Sequence, residues 1–141
     1  MVGAAGRPCR NQRLVGWGRH RVPVRVPRTG QVAMDSAPAS VVVYHTGPAW
    51  VQGAPLIKQE HAFGHIRFMR RMVASGTAVY AGPFCALDQS PADNLVGMIV
   101  LRSSPARSVE LLNEDPAVAH GLLDPKIHPF YPFETPDPPV G

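Results

Sequence analysis

The sequence predicts an α+β fold, a four-stranded antiparallel sheet with both helices on one face. Three observations predict it. Short β-branched or apolar runs at 41–45, 77–81, 94–101 and 126–131 read as strands. Two stretches, about 56–75 and 105–114, carry apolar residues at helical spacing. Their order is strand, helix, strand, strand, helix, strand, the split βαβ arrangement called ferredoxin-like.

The chain has 141 residues, enough for one domain. We expect a basic, disordered extension at 1–40, the folded domain at 41–133 and a Pro-rich tail at 134–141. No stretch approaches the roughly 20 apolar residues of a membrane span. The net charge of +4 is unevenly spread. Seven of the 14 Lys and Arg lie in residues 1–33, which have no acid; the other seven face all ten Asp and Glu, a balance of −3. A nucleic-acid role would rest on that tail alone, because the body has no basic patch with interleaved aromatics, and none is expected. Residues 1–33 show no period and too little apolar surface to offset chain entropy. Three readings stand: an over-long start with Met34 the native beginning, a solvated basic tail, or a transit peptide, against which the scarcity of Ser argues. Cys9 and Cys85 form neither a disulfide framework nor a CxxC site, so a reduced, cytoplasmic setting is the expectation.

Val41–His45 is the first strand, ended by Thr46-Gly47-Pro48. The loop to Pro55 carries Trp50, which either covers a pocket or caps the core edge. In the first helix, Ala62, Ile66, Met69 and Val73 fall on one face. Arg67, Arg70 and Arg71 lie off that stripe, and His65 borders it near Met69 and Met72. Gly76 suits the position just past the helix end.

Thr77–Ala81 is the second strand, with Gly82-Pro83 as its breaker. Asn94–Leu101 is apolar enough to be buried on both faces, and its Gly97 marks a bulge or a close approach. Ser104-Pro105 starts the second helix, with Ala106, Val109 and Leu112 as its buried stripe. Asp115-Pro116 restarts the chain; Asp before Pro is extended and its carboxylate can cap a short helix, Pro116–His120, closed by Gly121. Lys126–Tyr131 is the last strand. The strands are too apolar for a wet sheet face, so a homodimer packed sheet to sheet is expected.

Several motifs in order resemble the YciI-like (YCII-related) family, a branch of the dimeric α+β barrel group. They are His65 with Gly76 eleven residues on, Ala81-Gly82-Pro83-Phe84, Asp115-Pro116-Ala117-Val118 followed by Gly121-Leu122, and His128-Pro129-Phe130. His45-Thr46-Gly47-Pro48-Ala49-Trp50 looks like the opening of one subgroup. The resemblance covers about residues 41–133. It implies a ferredoxin-like subunit, a dimer, and a pocket whose His–Asp pair, here His65 and Asp115, is regarded as the active site. Most members have no assigned activity. One relative is a dehydrochlorinase acting on a chlorinated hydroxyquinol, and neighbouring families include lactone isomerases and monooxygenases of aromatic compounds. The extra His61 and the basic leader depart from the family pattern.

Imidazole has an ordinary pKa of about 6.5, and a carboxylate on one ring nitrogen fixes the tautomer and supports the imidazolium. His65 is therefore the candidate general base and Asp115 its orienting partner. Both have a plainer reading, His65 as a satisfied core-edge histidine and Asp115 as a helix cap. Gly82 and Pro83 would let a ligand approach the backbone, while Trp50, Phe84 and His45 would form the rest of the pocket. The expected reaction is of lyase or isomerase type on a hydroxylated aromatic or similar small anion. The alternative is a non-catalytic ligand-binding or dimerisation module. No cofactor motif is present, and none is expected. His61 and His65 stand at i, i+4, the spacing of a zinc pair, but the Glu of HExxH is missing and a third ligand, His45 or Asp115, would have to come from elsewhere. No metal is assigned. His20, His120 and His128 read as incidental, and Asp88, Asp93 and Asp124 as turn residues.

Overall fold

The computed structural model describes residues 37–134, 136–138 and 140. The expectations for the extension, Met34, Cys9 and His20 lie outside the described residues, apart from positions 37–40. Strand β1 (Ala39–Thr46) is followed by a 3₁₀ turn at Leu56–Lys58 and helix α1 (Ala62–Ala74). Then come β2 (Ala78–Pro83), β3 (Leu95–Leu101), α2 (Pro105–Leu112), α3 (Pro116–Ala119) and β4 (Leu123–Phe130). The sheet order is β2-β3-β1-β4 with every neighbour antiparallel, so the chain has the ferredoxin-like α+β fold. Among the described residues, no helix is long and apolar enough to cross a membrane.

Alternation along the central strands sets the two faces of the sheet. Val42 pairs with Ile99, both fully buried, and with Tyr44 and Leu101 they join Phe68, Met69, Met72 and Leu112 in the core. The intervening pairs, Val41 with Val100 and Val43 with Met98, are half-buried on the opposite face. This corrects the expectation that β3 is buried on both faces.

Gly82 and Pro83 do not break β2. They pair with Met98 and Gly97. A missing N–H does least harm on an edge strand, and the same holds for Pro125 and Pro129 on the other edge, β4. Gly97 is a point of close approach: a Cβ there would lie 2.5 Å from the Gly82 carbonyl oxygen.

Each helix buries part of the stripe that the spacing suggests, Ala62 and Met69 in α1 and Leu112 in α2, and replaces the rest. His61 adopts the left-handed conformation (φ 67°), so α1 starts at Ala62 and the 56–58 turn stays separate. Ala62, His65, Phe68, Met69 and Met72 are buried, Ile66 is half-buried and Val73 is exposed. In α2 the buried residues are Pro105, Ser108 and Leu112, while Ala106 and Val109 are exposed. Ser108 goes inward because its hydroxyl is paired there, donating to Ser40 Oγ at 3.0 Å and lying 2.8 Å from Ser103 Oγ. The helix ends follow local chemistry. Ser104 Oγ accepts from Arg107 N, and Gly76 and Gly121 take positive φ after α1 and α3.

Candidate functional site

His65 sits in the middle of the buried stripe of α1, with 5 % of its surface exposed. Asp115 ends the loop after α2 and is fully buried. As the residue before Pro116 it is extended, at φ −78° and ψ 116°, and its Oδ1 accepts from Ala117 N at 3.0 Å, capping α3. Its Oδ2 lies 2.7 Å from His65 Nδ1, across 50 residues of sequence. A carboxylate can only accept, so the hydrogen of this bond belongs to Nδ1, the tautomer that leaves Nε2 as the acceptor of the imidazole ring. Asp115 is therefore helix cap and histidine partner at once.

Close helix packing makes that contact. Gly64, beside His65, faces Pro116, beside Asp115, and a Cβ on Gly64 would stand 3.0 Å from the Pro116 ring. Without a side chain at 64, the two backbones approach closely enough for the neighbouring residues to bond.

His65 lines a cavity of about 330 Å³ between α1, β2, β3 and the 84–90 connection. Leu56, Ile66, Met69, Leu87 and Val96 give it apolar walls, and Tyr44, His65 and Arg70 are its polar lining residues. The Tyr44 ring stands edge-on to His65, with centroids 5.1 Å apart at 80°. Among the described residues, its buried hydroxyl has no hydrogen-bond partner. Burial, and secondarily the charge of Asp115, push the Tyr44 phenol well above its ordinary pKa, so it stays a neutral donor.

Gly82 and Pro83 line the cavity; Trp50, Phe84 and His45 are not among its lining residues. Trp50 is buried in the core. Its loop is tied to the residues just before β4 by Gly47 N to Leu122 O (2.8 Å) and Ala49 N to Gly121 O (3.0 Å), whereas the cavity is lined by β2, the strand at the other edge. Phe84 is half exposed, beyond the strand end where Pro83 faces the cavity. His45 follows Tyr44, and strand alternation turns it to the other face. His61 and His65 do not converge. The His61 ring stacks on His120 at 3.9 Å and 3°. Among the described residues, no group of three His, Cys, Asp or Glu side chains could hold a metal ion.

Tyr44 and Arg70 escaped sequence reasoning. Tyr44 could have been found, since it shares a strand face with Val42 and is the one aromatic in that strand. Arg70 lies on the i, i+4 row with Ile66, which the expected stripe had assigned to the core interior.

Fold and site together define a class: a ferredoxin-like α+β domain with a buried, carboxylate-bound imidazole on the wall of a small apolar cavity. No protein-family model, curated protein or solved structure matches the chain.

Proposed function

We propose that this protein acts on a small, hydroxylated or otherwise weakly acidic ligand by proton abstraction, with His65 as general base and Asp115 as its orienting partner. The hydrogen bond from His65 Nδ1 to buried Asp115 is the observation that carries this reading. It fixes the tautomer in which Nε2 is the proton acceptor, on a residue that lines the cavity. The bond from the ligand's carbon or oxygen to hydrogen breaks, the proton goes to Nε2, and Asp115 supports the resulting imidazolium. The electron pair left on the ligand then expels a halide or moves a double bond, with reprotonation at another carbon. Gly82 and Pro83 bring strand backbone to the cavity wall. The resemblance to YciI-like proteins agrees with this chemistry. Membership of that family, a cytoplasmic location and a sheet-to-sheet homodimer belong to the same proposal. The half-buried apolar face of Val41, Val43, Met98 and Val100 supports the dimer.

The capping bond from Ala117 to Asp115 favours a second reading, in which the pair is structural and the domain only binds ligands. Deuterium incorporation from heavy water into a panel of hydroxylated and chlorinated aromatics, followed by NMR, separates the two. Exchange or halide release in the wild type that is lost in His65→Gln supports catalysis. Equal exchange in both proteins, or binding with none, overturns it.

A further inference from the structure

We infer that Arg70 is the anion anchor of this cavity, and that the ligand is a single-ring or similarly compact carboxylate or phenolate. The inference deepens the functional reading above and rests on its choice of cavity. At about 330 Å³ the cavity lies at the small end of the roughly 300–1,000 Å³ typical of ligand sites, room for one ring rather than two. Its walls are apolar, so a ligand is held there by its hydrocarbon body.

The charges decide the sign. Arg70 and His65 are the lining residues that can carry positive charge, and no acid lines the cavity. Asp115 stands behind His65, fully buried, with one oxygen on the imidazole and the other on Ala117 N. It offers a ligand no surface, and a cationic ligand would meet Arg70 without compensation. Among the described residues, Arg70 takes part in no salt bridge, whereas Arg71 on the same helix is paired with Glu114. Ile66 and Arg70 are one helical turn apart and line the same wall. A planar guanidinium there matches a carboxylate in two-point geometry. The anion is held at Arg70, the ring lies against Ile66 and Met69, and the opposite side of the ligand is turned toward His65. Arg70 is thus a specificity-determining residue.

The test uses the full chain and two probes, benzoate and its neutral analogue benzyl alcohol, with binding followed by NMR. Arg70→Gln should weaken benzoate binding by about two- to fivefold, as expected for a charged contact made by an exposed side chain at the cavity rim. The difference should shrink as ionic strength rises, and benzyl alcohol binding should not change. Arg67→Gln removes the same charge from an exposed position on α1 off the cavity, so it should leave both affinities alone. Equal benzoate affinity in wild type and Arg70→Gln overturns the inference, as does an equal loss in Arg67→Gln or no benzoate binding at all. The proton-abstraction reading is judged separately, by the His65→Gln exchange experiment. Arg70-dependent benzoate binding without exchange sinks only the catalytic reading.

Discussion

Replacing Asp115 in two ways separates its roles as cap and as histidine partner. Asp115→Ala removes the cap of α3, worth about 1 kcal/mol. It also leaves a buried His65 ring N–H unpaired, at about 1–3 kcal/mol. The sum, about 2–4 kcal/mol, is a large share of the roughly 5–15 kcal/mol that holds a domain folded. Asp115→Asn should cost about 1 kcal/mol or less, because its carbonyl oxygen still accepts from Ala117 N and the side chain keeps its volume. That cap also fixes the orientation of the amide. With oxygen toward Ala117, the NH2 group must face His65, so Nδ1 becomes the acceptor and the ring hydrogen moves to Nε2. The Asn variant should therefore be folded, well capped and unable to accept a proton at Nε2. Urea unfolding measures the two stabilities, and imidazole nitrogen NMR shifts report the tautomer directly. If Asn destabilises as much as Ala, or if the hydrogen stays on Nδ1 in Asp115→Asn, the division of labour between the two carboxylate oxygens is refuted.

Gly97→Ala should destabilise by about 1–3 kcal/mol or more in urea unfolding, since its Cβ would meet the Gly82 carbonyl oxygen at 2.5 Å and Pro83 Cα at 2.9 Å, backbone atoms that cannot rotate away. A neutral result would mean that β2 can slide off β3. Tyr44→Phe removes a buried hydroxyl without a partner among the described residues, so stability should hold or rise by up to about 1 kcal/mol, while a loss above 1 kcal/mol would reveal a partner. Because the folded state keeps the Tyr44 phenol protonated beyond its ordinary pKa of about 10, stability should fall as pH rises above 10, where the unfolded chain ionises first. Alkaline unfolding followed by tyrosinate absorbance should show that loss in the wild type and less of it in Tyr44→Phe. Gly64→Ala should gain less than the roughly 1 kcal/mol that alanine brings to a helix interior, because its Cβ presses on Pro116 at 3.0 Å. The His65 ring proton should also exchange faster with water; the full gain with unchanged exchange would refute the role given to that contact.

The element order, the helix ends at Ser104, Gly76 and Gly121, and the extended, capping conformation of Asp115 could all be read from the sequence. Each depends on chemistry within a few residues: a hydroxyl or carboxylate near an orphan N–H, a glycine where φ must be positive, a proline restricting its predecessor. The ferredoxin-like arrangement followed, because few ways exist to pack that order of strands and helices. The buried stripes of α1 and α2 were only partly read, for the opposite reason. Hydrophobicity picked Val73 and Val109, which are exposed, over His65 and Ser108, whose side chains find buried polar partners 50 and 68 residues away in Asp115 and Ser40.

The site was partly legible in the same sense. His65 and Asp115 stood out by type and position, but Trp50, Phe84 and His45 were assigned to a wall they do not form. For Trp50 the reason is that sequence does not say which sheet edge a loop returns to; His45 lies next to Tyr44 on the alternate face of the strand, and Phe84 lies just past the end of β2. By itself, the sequence determined what each short segment can do. Tertiary structure alone decided which segments touch: Gly64 against Pro116, Gly97 against Gly82, and a cavity whose open cation is Arg70 rather than Arg71. Those outcomes turn on a few tenths of an ångström between backbones far apart in the chain, a distance that only the packed fold sets.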